Sequence, residues 1–263
     1  MTVAVPAGFL EAHLRARRDA GAKLLVPYVT GGLGEDWVQV LEAMAAAGAD
    51  AIEVGIPFSD PVMDGPTIQE ASEVALAQGA TLDGILDALR DVDAGVPLVV
   101  MTYVNLVFRA GYQRFAAEAV AAGVGGVILP DLPLEELDEW EPHGRAAGLD
   151  TVLLASPLTP DERLATLCKR SSGFIYGVNL LGVTGERAAV SDVSISLATR
   201  LKAVTDLPVV MGFGISTPDQ AAEVAGHADG VVVASALMRL RLAGAGPDDL
   251  GAAVADLRAA LDA

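Results

Sequence analysis

Four times along the chain an alanine-rich stretch ends at a glycine and gives way almost at once to an apolar run. The first is Ala46-Ala47-Gly48-Ala49-Asp50-Ala51-Ile52-Glu53-Val54. The pattern returns at Ala121 to Leu129 and at Ala146 to Leu154, with a last variant at Ala225 to Val233. A glycine there can take the left-handed conformation that closes a helix. The runs that follow are apolar throughout, without polar alternation, as parallel strands covered on both faces require. Extending this reading predicts eight strands: Leu24–Val29, Ala51–Ile56, Leu98–Tyr103, Gly126–Leu129, Thr151–Ala155, Gly173–Val178, Pro208–Gly212 and Gly230–Ala234. Helices are predicted between them, among them Asp36–Ala47, Leu82–Asp91, Tyr112–Ala122, Leu134–Ala147, Pro160–Lys169 and Pro218–Val224. Thr159 and Thr217 each precede a proline and read as hydroxyl caps.

Eight strands in strict alternation with helices favour a closed parallel (β/α)₈ barrel over an open doubly wound sheet. The 263 residues suit one such barrel, and no linker-like stretch divides them, so a single domain over residues 1–263 is expected. An extra amphipathic helix near Gly8–Arg18 precedes the first strand and is expected to cover the barrel bottom.

Composition narrows the partners. With 35 acidic and 17 basic side chains the formal charge is −18, which disfavours nucleic acid and anionic membrane surfaces. One cysteine, Cys168, permits no intrachain disulfide, and His13, His143 and His227 follow no metal-ligand spacing. The first ten residues lack a signal-peptide pattern, and no apolar run reaches the ~18 residues of a membrane span, so a cytoplasmic protein is expected.

Barrel chemistry sits at the carboxyl ends of strands. There Glu53 places a carboxylate inside an apolar strand, where burial would raise its pKa toward acid–base use. A proline-rich loop with Asp60 and Asp64 follows; either acid could instead simply initiate a turn. After the sixth strand, Gly182-Val183-Thr184-Gly185 suits a closing lid. After the seventh and eighth, Gly212-Phe213-Gly214 and Ala234-Ser235 can offer backbone amides to a phosphate.

The segment I-E-V-G-I-P-F-S-D-P-V-M-D-G-P-T-I-Q, Ile52 to Gln69, closely resembles the signature of the tryptophan synthase α-subunit family. Five more matches follow in register: Leu25–Gly32, Thr102–Phe108, Pro130–Glu136, Gly182–Gly185 and Gly212–Ser216. The resemblance spans essentially the whole chain. It implies a lyase that splits indole-3-glycerol phosphate into indole and glyceraldehyde 3-phosphate in tryptophan biosynthesis. It implies Glu53 as general acid–base group and Asp64 as acceptor for the indole N–H. Tyr176 and Thr184 would position the reacting groups, with Thr184 bonding Asp64 when the lid closes, and Gly185 would line the substrate site. Phe213, Gly214, Ala234 and Ser235 would hold phosphate, and Leu25, Met101 and Ile128 would contact indole. The chemistry needs no metal and no cofactor. Pyridoxal phosphate is expected only in a β subunit, the partner in an α₂β₂ heterotetramer, met through Asp60, Asn105, Phe108 and Pro133. The chain departs from the commoner family form at Asn179-Leu180 and at Ala234. Two alternatives stay open: another phosphate-binding barrel such as a sugar-phosphate isomerase or epimerase, and a non-catalytic subunit that only activates a β partner.

Overall fold

The computed structural model describes residues 8–178, 192–212 and 214–263. Eight parallel strands close into a barrel in sequence order: β1 (Leu24–Thr30), β2 (Ile52–Gly55), β3 (Leu98–Met101), β4 (Val124–Ile128), β5 (Asp150–Ala155), β6 (Ile175–Val178), β7 (Val209–Gly212) and β8 (Gly230–Val233). Helices cover the outside. Two apolar clusters divide the core. One lies between strands and helices and includes Leu25, Ile52, Val54 and Val231. The other fills the barrel and includes Leu24, Val26, Ala51, Val99, Ile128, Phe174 and Val210. Alternate residues of each strand thus face opposite layers, as the pleat dictates.

The helix Phe9–Asp19 closes the amino end of the barrel. Leu10 and Leu14 are fully buried in the inner cluster. Leu10 reaches so far in that a Cβ on Gly126 would stand 2.5 Å from its Cδ2, and one on Gly173 2.9 Å. Around this plug, the aspartates of the repeated helix–strand junctions are spent on architecture. Asp50 accepts hydrogen bonds from Leu25 N (2.8 Å), Arg17 Nε (2.6 Å) and Arg258 (3.2 Å). Asp150 accepts from Glu11 N (3.0 Å), and Asp229 from Lys202 Nζ (2.7 Å) and Val209 N (2.8 Å). Each charge is buried but satisfied.

Several local expectations are corrected. Gly48, Gly123 and Gly148 do have positive φ, but Gly226 stays right-handed at φ −57°. The predicted strand Leu98–Tyr103 stops at Met101, and a helix, Val104–Ala110, follows. Its first amide, Val104 N, donates to Asp131 Oδ1 at 2.8 Å, a cap supplied from the loop after β4. The helix expected over Leu134–Ala147 is a 3₁₀ segment, Leu134–Glu139, followed by an α-helix, Glu141–Ala147, with Pro142 in its first turn. Thr217 caps its helix through Gln220 N, whereas Thr159 Oγ1 instead accepts from Ser156 N at 3.1 Å and tightens the preceding turn.

Candidate active site

Glu53 stands on the inner face of β2. Ala51, two residues before it, lies in the inner cluster, while Ile52 and Val54 pack outward. The side chain is 1% exposed, and Oε2 has no hydrogen-bond partner among the described residues. Burial pushes its pKa up to about 8, with the negative charge of Asp64 adding in the same direction. A carboxyl group in this setting keeps its proton at neutral pH.

Asp64 lies in the loop after β2, which is braced from two sides. Gln69 Nε2 donates to Asp64 O (2.9 Å) and Pro61 O (3.3 Å), and Met63 N donates to Tyr103 Oη (3.0 Å). Tyr103 also hydrogen-bonds the Asp64 carboxylate, and its ring stacks on Phe58 at 4.9 Å. Burial raises Asp64 to about 6; the Tyr103 hydrogen bond pulls it down and the charge of Asp131 pushes it up. Asp64 is therefore ionised where Glu53 is not. One acid form and one anion share the same barrel mouth, the separation that acid–base chemistry on two carboxyl groups needs.

The remaining expected residues divide. Tyr176 is buried in the inner cluster, its phenol raised well above its ordinary pKa by burial and then by Glu53, Tyr28 and Asp64. Met101 and Ile128 pair in register on the inner side, Met101 also opposite Gly55 of β2. Leu25 is a correction: it belongs to the outer cluster, because Leu24 and Val26 take the inward positions of β1 and alternation turns Leu25 toward the helices. Gly214, at φ +66°, is exposed after β7. Ala234 and Ser235 form the start of the helix Ser235–Leu242, which has no side-chain cap on its first amides. Thr184, Gly185 and Phe213 lie outside the described residues. Asp60, Asn105 and Pro133 are exposed, and Phe108 is 68% exposed, all in segments that follow β2, β3 and β4. Among the described residues no group of three or more His, Cys, Asp or Glu could hold a metal ion, and no helix is long and apolar enough to cross a membrane.

Tyr28, Thr30, Tyr103 and Asp131 were not assigned roles from the sequence. Tyr28 and Tyr103 sit inside matched motifs, yet only strand register shows that Tyr28 faces Glu53, and only the fold brings Asp131 of one loop to the helix of another.

A closed parallel barrel with a proton-bearing carboxyl group and a carboxylate at its carboxyl end defines a barrel enzyme of the acid–base type. Comparison with known proteins makes this specific. Residues 14–249 match the family model described as tryptophan synthase alpha chain. The tryptophan synthase alpha chain of Acidiphilium cryptum is 47% identical over 236 residues, covering 88% of this chain and 86% of that protein. That of Streptomyces avermitilis is 43% identical, covering 87% and 84%. In solved structures, Mycobacterium tuberculosis tryptophan synthase superposes with a TM-score of 0.89 at 38% identity, covering 96% of this chain and 97% of that one. The alpha subunit from Legionella pneumophila gives 0.87 at 36%, covering 96% and 98%. The chain belongs to the tryptophan synthase alpha chain family and is a lyase subunit of that enzyme. Membership sets aside the isomerase or epimerase alternative.

Proposed function

We propose that this chain cleaves indole-3-glycerol phosphate by proton transfer through Glu53, with Asp64 carrying the charge that develops on the ring. The single observation that supports this most is the split between the two acids, Glu53 raised to about 8 and Asp64 to about 6. Glu53 gives its proton to indole C3, and the ring nitrogen becomes positive. Asp64 accepts the N–H hydrogen bond and offsets that charge. The side-chain hydroxyl then returns a proton to the Glu53 carboxylate as the carbon–carbon bond breaks. Its electron pair flows back into the ring, so indole and glyceraldehyde 3-phosphate leave with Glu53 restored. Phosphate would rest on backbone amides around Gly214 and the start of the helix Ser235–Leu242. Met101 and Ile128 would contact the indole ring, with Tyr176 and Thr184 positioning the acids.

These steps call on carboxyl groups alone, and pyridoxal phosphate is assigned to the β chain. We place that chain on the face carrying Asp60, Asn105, Phe108 and Pro133, in an α₂β₂ assembly in the cytoplasm.

The test is indole release from indole-3-glycerol phosphate by the isolated chain and by Glu53→Gln. The amide keeps the shape and loses the proton, so turnover should fall by roughly 10²–10⁴-fold in a folded variant. Near-native turnover in that variant would remove Glu53 from the reaction. No turnover by the native chain, alone or with a β chain, would leave only an activating role.

A further inference from the structure

We propose that Tyr28 is a positioning residue whose hydroxyl, held by Thr30, donates to the Glu53 carboxylate after that group has delivered its proton. The inference rests on the reading of Glu53 as the proton donor.

Register and alternation supply the geometry. Tyr28 pairs with Glu53 and Thr30 with Gly55 across β1 and β2. Alternation from Leu24 and Val26 turns Tyr28 toward the interior; it is counted with the outer apolar cluster, but its hydroxyl reaches the inner face at Gly55. Its side chain leans over Gly55, where any Cβ would collide with Oη. The phenol therefore stands on the mouth side of Glu53 because strand β2 has no side chain there to exclude it. Thr30 is fully buried; its Oγ1 donates to Tyr28 Oη at 3.3 Å and lies 3.5 Å from Met238 Sδ. Since Tyr28 oxygen accepts from Thr30, its own proton is left to be aimed at a second acceptor.

The electrostatics supply the need. Among the described residues, the titratable groups electrostatically coupled to Glu53 are Tyr28 from β1, Asp64 from the loop after β2 and Tyr176 from β6. None of these three is positive. A Glu53 carboxylate formed during the reaction would be a buried anion with no cation beside it among the described residues, a costly state unless donors reach it. In the resting site, where Glu53 keeps its proton, Oε2 is buried and has no partner among the described residues. Tyr28 is pushed far upward by burial and then by Asp64, so it remains a donor at working pH. The hydroxyl moves no proton of its own to the substrate: the proton passes from Glu53 to C3 and returns from the substrate hydroxyl. Tyr28 and Thr30 stabilise the interval between.

Tyr28→Phe tests this, because it removes one oxygen and leaves the ring packing. Loss of a hydrogen bond to a charged group should lower kcat roughly 10- to 100-fold with little change in KM. The donor favours ionised Glu53, so its loss should also move the alkaline limb of the kcat profile upward by about half a pH unit or more. Thr30→Val should shift both in the same direction by less, and Thr30→Ser should restore them. Native kcat and an unmoved alkaline limb in folded Tyr28→Phe would overturn the proposal, as would a fall in kcat with the limb unmoved, which is the signature of packing alone. Absence of indole release by the native chain would instead strike the underlying reading of the reaction.

Discussion

A carboxylic acid that keeps its proton beside one that has lost it requires unequal surroundings, and Glu53 and Asp64 have them. Glu53 is sealed in the barrel with an oxygen that has no partner among the described residues, whereas Asp64 receives a hydrogen bond from Tyr103. The acid form of Glu53 exists below about 8 and is lost above it; the Asp64 anion exists above about 6 and is lost below it. Turnover should therefore be greatest between these values and fall on both sides. A pH series of kcat/KM for indole release checks this, and a profile flat from about 5 to 9 would show that the two groups do not titrate in the working site. Glu53 was legible as a misplaced charge in an apolar run. Asp50, Asp150 and Asp229 also flank apolar runs, but they serve the barrel floor. What separates them is which end of the strand they occupy and whether a partner reaches them, and both depend on the fold.

Among the elements, the N-terminal helix and the helix Val104–Ala110 show opposite degrees of legibility. The first was expected from its amphipathic spacing, and Leu10 and Leu14 indeed enter the barrel from below. Leu10→Ala should leave a void between Gly126 and Gly173 that the rigid strand backbones cannot close, costing about 2–5 kcal/mol. Urea unfolding would measure it, with turnover per folded molecule unchanged because the plug is at the end away from Glu53. A loss below about 1 kcal/mol would mean that the floor collapses onto the gap. The second helix is absent from the sequence reading, which only carries the strand before it on to Tyr103 because Thr102 and Tyr103 favour extended structure. Its start depends on Asp131, 27 residues further along, which no local window contains.

Among the described residues of the whole molecule, the most exposed large apolar side chains are Val62 (80%) after β2, Leu158 (69%) after β5 and Phe108 (68%) after β3. Val62 and Phe108 lie in the segments assigned above to the partner, where a covering chain would take them out of water. If the β chain covers them and favours a closed site, adding that chain should raise the rate of indole release, and bound substrate should tighten assembly by the same factor. Phe108→Ala should weaken β-chain affinity by about tenfold or more, as expected for a central aromatic anchor. Titration of both forms with the cognate β chain is the measurement. Full activity of the native chain alone, unchanged by the β chain, would contradict the gating idea.

The sequence by itself determined the architecture, because eight apolar runs alternating with helical stretches can bury both strand faces only in a helix-covered parallel sheet. It also singled out Glu53 and Asp64, through an ion in an apolar strand and a motif of adjacent residues. Tertiary structure alone decided that Leu25 faces the helices, that Tyr28 meets Glu53, and that Asp131 caps the helix after β3. Each of those facts depends on strand register or on loops distant in sequence. A shift of one residue reverses every side chain of a strand, and nothing local in the chain sets that phase.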